Sequence, residues 1–560
     1  MATSSLSGEH MAAVHYVFLS DLHFGERNSL LSDPTHDGAT RPLLANDALD
    51  GLVACLRDVA RANPPGVKPQ LVLVGDIFEL ALAPTHVALD GFDQFIDRIF
   101  PAGEEALFSP DIVFIPGNHD HELWTSTRDE LIAERMMRMS PDDPLEASPP
   151  TTRIFAELHP VPGAAPEQQP TENGLLTRML CRRHPTHPDL RVVVGYPNLG
   201  LIRQQRMLLA HHGHFADDVY LLMTPLARAI YGEEEGAPTI AQLETDNAAW
   251  IDFLWSSLGR EGRVGAGVRR SYDMLKTDSG KVLLASRLAG AVVSLKRRKV
   301  GRRLRQRLLL PFLLRALDLI EENDVRQSLE SRKQVDEGVI NYLMGPLAAE
   351  VARELGTGHH PFPTEHIFIY GHTHHPLAQE LALPEFGARV RVYNTGGWVV
   401  DTPEARPSMG GALLLVDDAL DTVLVQLCAQ TTEPHLAPVM VLRAGDEAAA
   451  GPLMAHVRAL VDRTEGPWRA AASACGNAIL RRRAELSAKL LQEMKDLPLA
   501  ERLALGSEYL YKTFLKRERR VRHQLKLHLL TREQRERREQ PRTLPAASAP
   551  GTLPDVPSTH

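Results

Sequence analysis

Cysteine is scarce in this chain, since its 560 residues contain only four, Cys55, Cys181, Cys428 and Cys475. The four lie far apart in the sequence and form no Cys-x-x-Cys pair. This spacing supports neither a disulfide framework nor a zinc site built on cysteines, and it is typical of a reducing compartment. We therefore expect the protein to be cytoplasmic.

Long hydrophobic runs are absent too. No apolar run reaches the roughly 18–20 residues that a helix needs to cross a bilayer, because arginine and lysine interrupt every candidate. The N-terminus lacks a basic segment followed by a long apolar core, so we expect no signal peptide and no transmembrane segment. The net charge of −9 provides no global attraction to nucleic acid or acidic lipid. The composition, 43% hydrophobic and 24% charged, indicates a soluble globular protein with room for more than one domain.

Five short apolar runs share one layout, in which about four strand-favouring residues lead into a loop that carries Asp, Asn, Gly or His. The runs are HYVFLSDLH (15–23), QLVLVGDIFE (70–79), DIVFIPGNHD (111–120), RMLLAHHGH (206–214) and HIFIYGHTHH (366–375). Such runs are typical of buried strands with functional loops at their carboxyl ends. Apolar spacing predicts a helix in 46–62, and 388–399 and 411–428 contain further strand candidates. We therefore predict an α/β sandwich built on a central mixed sheet.

Three other regions depart from this alternation of strand and loop. Residues 135–190 are rich in Pro, Thr and charge and are predicted to be an irregular loop. Residues 216–364 are predicted to be a mostly helical insertion or cap, and residues 446–540 a helical C-terminal region that becomes increasingly basic. After it, residues 541–560 are rich in Pro, Ala and Ser and are predicted to be a disordered tail.

The polar residues after the five apolar runs form an ordered set of metal-ligand types. In chain order the loops read Asp21-x-His23, Gly75-Asp76, Gly117-Asn118-His119-Asp120, His212-Gly213-His214 and Gly371-His372-Thr373-His374. Carboxylate, amide oxygen and imidazole are ligands for first-row transition metals. Strand ends can bring distant residues together, and a carboxylate bridging two ions would give a two-metal site for phosphoryl hydrolysis. Taken singly, Asp21 and Asp76 could also be turn residues at strand ends.

This ordered set resembles the signature of the calcineurin-like metallophosphoesterase superfamily, which is DxH, GD, GNH(D/E), H and GHxH. All five motifs are present in that order, and the resemblance covers residues 14–120, 190–215 and 365–428. It implies a metallophosphoesterase-type β-sandwich flanked by helices, formed by residues 1–215 and 365–445. It further implies a metal-dependent hydrolase whose substrate is a phosphomonoester, a phosphodiester or a pyrophosphate.

The resemblance also implies a role for each motif residue. One metal would be bound by Asp21, His23, Asp76 and His374, and the other by Asp76, Asn118, His212 and His372. Asp76 would bridge two divalent ions, which are expected to be Mn, Fe, Zn or Mg with Mn favoured, and a hydroxide between them would be the nucleophile. His119 would stabilise charge beside the phosphate or protonate the leaving group, and Asp120 would orient the His119 imidazole.

Three more histidines adjoin the implied ligands. His211 and His375 lie outside the motifs and are expected to be supporting or surface residues, with substrate contact as the alternative. His214 is intermediate, because relatives often have a polar residue near the site at this position. Of the three histidines in LLAHHGHFADD (208–218), His212 is thus the predicted ligand.

Residues 295–320 combine dense positive charge with a leucine-rich continuation. This segment is expected to meet anionic lipid or a lipid-linked substrate, to direct arginines at substrate phosphates, or to pack on the core through its leucines. The pairing of FLSDLHFG (18–25) with GDIFE (75–79), in which an aromatic residue follows GD-x, resembles one branch of the superfamily. That branch contains UDP-2,3-diacylglucosamine hydrolases, which cleave a lipid-linked pyrophosphate. The chain length, the place of the insertion and the GNHD motif depart from that branch.

Two other functions remain open from the sequence. A nuclease would use the basic segments 295–320 and 514–540, although the negative net charge argues against nucleic acid as a partner. A non-catalytic scaffold would use the helical regions to bind a protein or a membrane, but the complete set of ligand motifs disfavours it. The lipid interpretation of 295–320 would place the protein at the periphery of a membrane.

Overall fold

A computed structural model describes residues 12–33, 46–140, 152–159, 171–218, 220–231, 237–257, 335, 337–357, 362–386, 388–446, 451–463 and 466–495. The chain divides into two compact units, Met1–Gln492 and Glu493–His560. The fold below is that of the first unit. The predictions for 295–320, 514–540 and 541–560 lie outside the described residues, and the predicted domain boundaries stay predictions.

Two β-sheets form the centre of the described structure. Their strands are β1 (Tyr16–Leu19), β2 (Gln70–Leu73), β3 (Asp111–Phe114), β4 (Thr152–Phe155), β5 (Thr171–Glu172), β6 (Arg191–Val194), β7 (Asn198–Arg203), β8 (Arg206–His211), β9 (Glu365–Tyr370), β10 (Leu377–Leu383), β11 (Ala388–Asn394), β12 (Ala412–Val416), β13 (Thr422–Gln426) and β14 (Met440–Leu442). The first sheet has the order β14-β13-β12-β1-β2-β3-β6-β5 and the second the order β10-β11-β9-β8-β7-β4. Both mix parallel and antiparallel pairs.

The apolar runs form strands because their side chains are buried on both faces of the sheet. In β1, Tyr16 and Phe18 belong to a cluster that also contains Leu208 and Ile367 of the second sheet. The alternate residues of the same strand pack in another cluster with the helices. Successive side chains point to opposite faces of a strand, so a continuous apolar run fills both layers. The predicted α/β sandwich is confirmed.

Helices surround the two sheets. They are α1 (Asp47–Ala62), α2 (Thr85–Ile99), α3 (Glu122–Arg138), α4 (Gly174–Arg183), α5 (Met223–Tyr231), α6 (Ile240–Ile251), α7 (Glu337–Tyr342), α8 (Ala348–Thr357), α9 (Pro452–Val461) and α10 (Pro467–Lys495). Wider π-helical turns follow α6 at Asp252–Ser257 and α7 at Leu343–Leu347. The predicted helix in 46–62 begins where Asn46 Oδ1 accepts the amide N–H groups of Ala48 and Leu49. None of the described helices is long and apolar enough to cross a membrane.

The prediction of an irregular loop over 135–190 is wrong in part. The segment contains the end of α3, the strands β4 and β5, and helix α4, whose first turn is capped by the side chain of Asn173. Both strands lie at the edge of a sheet, and β5 has only two residues. Such short edge strands leave no periodic pattern in the sequence. The described parts of 216–364 are mostly helical, as the sequence predicts.

The strand arrangement brings the five motif loops to one end of the sandwich. In the first sheet β1 is parallel to β2 and β2 is parallel to β3, and in the second sheet β8 is parallel to β9. Each of these strands is followed by one of the motifs. Because neighbouring parallel strands end at the same edge, the motif residues meet there although the chain separates them widely.

Candidate metal centre

The backbone turns sharply at most of the predicted ligands. Five non-glycine residues in the motif loops have positive φ: Asp21 (54°), His23 (47°), Asp76 (52°), His372 (67°) and His374 (59°). This left-handed region is uncommon for such residues and costs about 1–3 kcal/mol at each position. Strain of this kind is typical of functional sites, where the fold holds side chains in a required direction.

The predicted ligands form two groups that lie side by side. Asp21, His23 and His374 form one and Asp76, His212 and His372 the other, and within each group the potential ligand atoms are within 4.8 Å of one another. Asp76 Oδ2 lies 3.1 Å from Nε2 of His212 and 3.9 Å from Nε2 of His23. One carboxylate oxygen of Asp76 therefore faces both groups.

In the first group, the Asp21 carboxylate is oriented by several donors. Oδ1 lies 3.3 Å from Nε2 of His374, and the backbone N–H of His372 donates to the carboxylate at 3.1 Å. The hydroxyl of Ser20 also donates to Asp21 and lies 2.6 Å from the hydroxyl of Thr395. The fifth motif loop is thus tied to the first by the Asp21 carboxylate itself.

In the second group, His212 is held by the fold in one orientation. Its Nδ1 donates to the carbonyl of Val74 at 2.9 Å, which leaves Nε2 to face Asp76 and the Oδ1 atom of Asn118, 3.2 Å away. A Cβ atom at Gly75 would collide with the His212 ring, and one at Gly117 would collide with the Asp76 carboxylate. The two motif glycines therefore permit the close approach of these loops.

The partner of the His119 imidazole is Glu79. His119 Nδ1 lies 3.0 Å from Glu79 Oε1, and His23 Nδ1 lies 3.1 Å from Glu79 Oε2, so one carboxylate holds two histidines. Glu79 is fully buried. Sequence reasoning missed this residue, although the signal was available, because GDIFE places an acidic side chain three residues after Asp76.

The predicted role of Asp120 in orienting His119 is wrong. The Asp120 carboxylate accepts the backbone N–H groups of Ile77 at 2.8 Å, Phe78 at 3.2 Å and Gly117 at 2.6 Å. Asp120 follows His119 in the chain, but its side chain turns back toward the loop after β2. It therefore joins the second and third motif loops through backbone amides.

Electrostatics in the site favour charged side chains despite burial. Burial opposes ionisation of Glu79 and His119, but their attraction to each other outweighs it, lowering the pKa of Glu79 to about 2 and raising the pKa of His119 to about 10. Burial likewise opposes ionisation of Asp76, but the neighbouring histidines hold its pKa well below its usual range. Divalent cations in the site would lower the pKa of His119 by repulsion.

The side chains present fit divalent metal ions. The Nε2 atom of His23 is buried and has no hydrogen-bond partner among the described residues, yet it faces Asp76. A buried imidazole nitrogen without a partner is costly, and a metal ion would satisfy it. Carboxylate, imidazole and amide oxygen together form a mixed donor set that suits Mn, Fe, Zn or Mg.

The neighbouring histidines have structural surroundings of their own. His211 and His214 are fully buried, so neither is a surface residue. The His211 ring packs 4.9 Å from the ring of Tyr342, and burial lowers its pKa well below the usual range. His214 Nε2 lies 3.1 Å from the hydroxyl of Tyr196. His375 is more exposed, its Nδ1 faces a backbone carbonyl at 3.2 Å, and burial lowers its pKa to about 4.

Comparison with known families agrees with this geometry. The sequence model of the family described as calcineurin-like phosphoesterase matches residues 14–240, which contain the first four motif loops. No curated protein matches the chain. The fifth motif lies outside the matched range, and the structure brings its two histidines to the other four. Residues 14–240 therefore match the calcineurin-like phosphoesterase family, which implies a metal-dependent hydrolase.

Proposed function

We propose that the protein is a dinuclear-metal phosphoesterase that hydrolyses a phosphomonoester, a phosphodiester or a pyrophosphate. The observation that carries this proposal is the position of Asp76, whose Oδ2 atom lies 3.1 Å from His212 and 3.9 Å from His23. A carboxylate shared by two groups of ligands is the arrangement required for two metal ions that act on one phosphoryl group.

The proposed ligand sets follow the two groups. Asp21, His23, Asp76 and His374 would hold one ion, and Asp76, Asn118, His212 and His372 the other. When bound, two divalent ions supply a water of lowered pKa and offset the negative charge of the phosphate. Manganese is the proposed first choice, because this mixed oxygen and nitrogen set accepts it and availability often decides among Mn, Fe, Zn and Mg.

The residues of the chain would position the substrate and move a proton. His119 uses Nδ1 for Glu79, so its Nε2 is the nitrogen left for the substrate. A buried carboxylate that stabilises the imidazolium allows His119 to hydrogen-bond to the phosphate or donate a proton to the leaving oxygen. His119 keeps 7% of its surface exposed.

Substrate identity beyond a phosphate ester depends on parts of the chain outside this site. Residues 295–320, on which a lipid-linked substrate and membrane contact would depend, lie outside the described residues. Lipid linkage is therefore not part of the proposal. The proposed compartment is the cytoplasm, which is supported by four free cysteines that are few and far apart in the sequence.

The proposal is tested with purified full-length protein in Mn²⁺. Metal analysis should find two ions per chain, and p-nitrophenyl phosphate or its bis ester should be hydrolysed. Asp76→Asn should bind less metal, and its kcat should be at least about 100-fold lower because metal-ion catalysis is lost. Asp111→Asn is the matched control, because this carboxylate is also buried but pairs with Arg191 at the start of β3. Undiminished hydrolysis by Asp76→Asn, or no bound metal, would refute the proposal.

A further inference from the structure

The first part of the helical insertion packs directly on the loop that carries Asn118. Asn118 is fully buried. Its Nδ2 donates to the hydroxyl of Tyr220 at 3.2 Å, and its backbone carbonyl accepts the hydroxyl of Ser256 at 2.8 Å. Both partners belong to the predicted insertion, Tyr220 before α5 and Ser256 in the π-helical turn after α6. The insertion thus contacts both the side chain and the backbone of Asn118.

Tyr220 is itself fixed between the insertion and the second ligand group. Its ring lies 4.5 Å from the ring of Trp255 and 5.1 Å from the ring of His372, which it meets edge to face. Aromatic pairs at such distances have restricted orientations. The phenol oxygen is therefore held at a defined place beside Asn118.

A polar network anchors α6 and the π-helical turn after it to His121 and the first turn of α3, which directly follow that loop. His121 Nδ1 lies 2.7 Å from Asp252, and the Asp252 carboxylate also accepts the hydroxyl of Thr125 at 2.9 Å. Glu244 accepts the indole N–H of Trp124 at 2.9 Å. Buried polar contacts of this kind have directional requirements that apolar packing lacks, so they define one register between the two elements. The insertion cannot shift along the start of α3 without breaking them.

The amide of Asn118 needs such support. An asparagine side chain presents either its oxygen or its NH₂ group after a half turn, and only the oxygen can bind a cation. With Nδ2 donating to Tyr220, Oδ1 faces His212 Nε2 at 3.2 Å, on the side of the second group. The described contacts of the Asp21 carboxylate in the first group, by contrast, come from the sandwich itself, from Ser20 and from the backbone of His372.

We propose that Tyr220 and Ser256 are positioning residues for Asn118, so that the insertion completes the binding site of the second metal ion. This inference rests on the proposed function. Partners that orient a metal ligand typically contribute about 10–100-fold to metal affinity. Removing either hydroxyl should therefore weaken one metal site and leave the other unchanged.

The test is a calorimetric titration of the metal-free full-length protein with Mn²⁺. Tyr220→Phe keeps the ring packed on Trp255 and removes only the hydroxyl, and Ser256→Ala removes the other contact. We expect each variant to weaken one of two Mn²⁺ sites by about 10-fold. Electron paramagnetic resonance gives a second readout. At two equivalents of Mn²⁺, the signal of a spin-coupled Mn²⁺ pair in the wild type should be replaced in the variants by the signal of isolated Mn²⁺.

Matched controls are available in α7 of the insertion and in α3. Tyr342→Phe removes a buried phenol of the insertion that bonds to Asn198 at 2.8 Å, and Ser126→Ala removes a hydroxyl that bonds to the carbonyl of Leu123 at 3.0 Å. Both controls should bind two Mn²⁺ ions as the wild type does. Thermal unfolding of the metal-free variants checks that each is folded.

The outcomes separate this inference from the proposed function. If the wild type binds two Mn²⁺ ions and Tyr220→Phe and Ser256→Ala leave both affinities unchanged, the positioning role is refuted and the proposed function stands. Equal weakening of both sites, or the same effect in the controls, would also refute it. A wild type that binds neither Mn²⁺ nor Fe²⁺, Zn²⁺ or Mg²⁺ would refute the proposed function itself.

Discussion

At the scale of single residues, substitution of Glu79 tests whether this carboxylate orients the imidazoles of His23 and His119. The Oε2 atom of Glu79 lies 3.1 Å from Nδ1 of His23 and 2.9 Å from Nδ1 of His119. Its Oε1 atom lies 3.0 Å from Nδ1 of His119 and accepts the backbone N–H of Leu82 at 2.8 Å. Glutamine has only one acceptor oxygen, so in Glu79→Gln the NH₂ group must face either the Leu82 N–H or an imidazole N–H. The substitution also removes the negative charge that stabilises the protonated His119. We expect kcat to fall by about 10–100-fold while the protein stays folded. Steady-state kinetics with p-nitrophenyl phosphate in Mn²⁺ measures this.

Asp120→Asn is the informative comparison for that variant. Its carboxylate accepts three backbone N–H groups and contacts no imidazole among the described residues. Replacing one acceptor oxygen by NH₂ should lower the free energy of unfolding by about 1–3 kcal/mol, the cost of an unsatisfied buried group. A loss of kcat in Asp120→Asn equal to that of Glu79→Gln, without loss of stability, would restore the role that the sequence predicted for Asp120.

These two acidic residues also show what sequence patterns can predict about a site. Asp21, Asp76 and the motif histidines were predictable because each directly follows a strand-like run and has a ligand side chain. The partner of His119 was not predictable. Two acidic residues, Glu79 and Asp120, were available, and the directions of their side chains depend on backbone geometry. Asp76, three residues before Glu79, has a positive φ of 52°, and Glu79 points inward to His23 and His119. No spacing rule contains that information.

At the scale of elements, α10 supports the loop after the first motif. Arg482 is 2% exposed and donates to the carbonyl of Ser29 at 2.8 Å and to that of Ser32. Arg482→Met keeps the aliphatic stem and leaves these carbonyls without a charged donor. We expect the free energy of unfolding to fall by about 2–3 kcal/mol, measured by urea denaturation. Arg481→Met, on the exposed side of the same helix, should change it by less than about 0.5 kcal/mol.

The contact of α6 and the π-helical turn after it with His121 predicts a pH dependence of stability. His121 faces Glu244 and Asp252, with Arg128 near Glu244 and the rings of Tyr196 and His214 beside it. Burial opposes protonation of His121, but the two carboxylates outweigh it and raise its pKa from 6.5 to about 9. Because the pKa of His121 is higher in the folded chain than in the unfolded chain, protonation of His121 stabilises the folded state. This contribution is complete below pH 6.5 and is lost as the pH rises toward 9.

His121→Gln isolates that contribution from those of other histidines. Urea unfolding of metal-free wild type and variant should differ most at pH 6.5 and progressively less up to pH 9, where His121 of the wild type also loses its proton. Comparing the two proteins at each pH removes the titration of groups that they share. A difference in stability that stays constant over this range would contradict the prediction.

At the scale of the whole molecule, the sequence predicted the centre of the sandwich better than its edges. The strands β1, β2, β3, β8 and β9 come from continuous apolar runs, since both of their faces are buried. Strands β5 and β14, with two and three residues, lie at sheet edges and leave too short a pattern to detect. The docking of the insertion was equally unpredictable, because it depends on separate polar side chains such as Tyr220 and Ser256.

Metal binding should therefore be coupled to the stability of the entire sandwich. Asp21 and Asp76 follow strands of the first sheet, and His212 and His372 follow strands of the second. The sites exist only when both sheets are assembled, so metal binds the folded chain in preference to the unfolded chain. At Mn²⁺ concentrations about 100 times the dissociation constant, each site should add about 2.7 kcal/mol to the free energy of unfolding. Chelation should lower Tm in the wild type and in Asp111→Asn, while Asp76→Asn should show nearly the same Tm with and without Mn²⁺. An equal shift in Asp76→Asn would mean that Mn²⁺ stabilises the protein at a place other than the shared carboxylate.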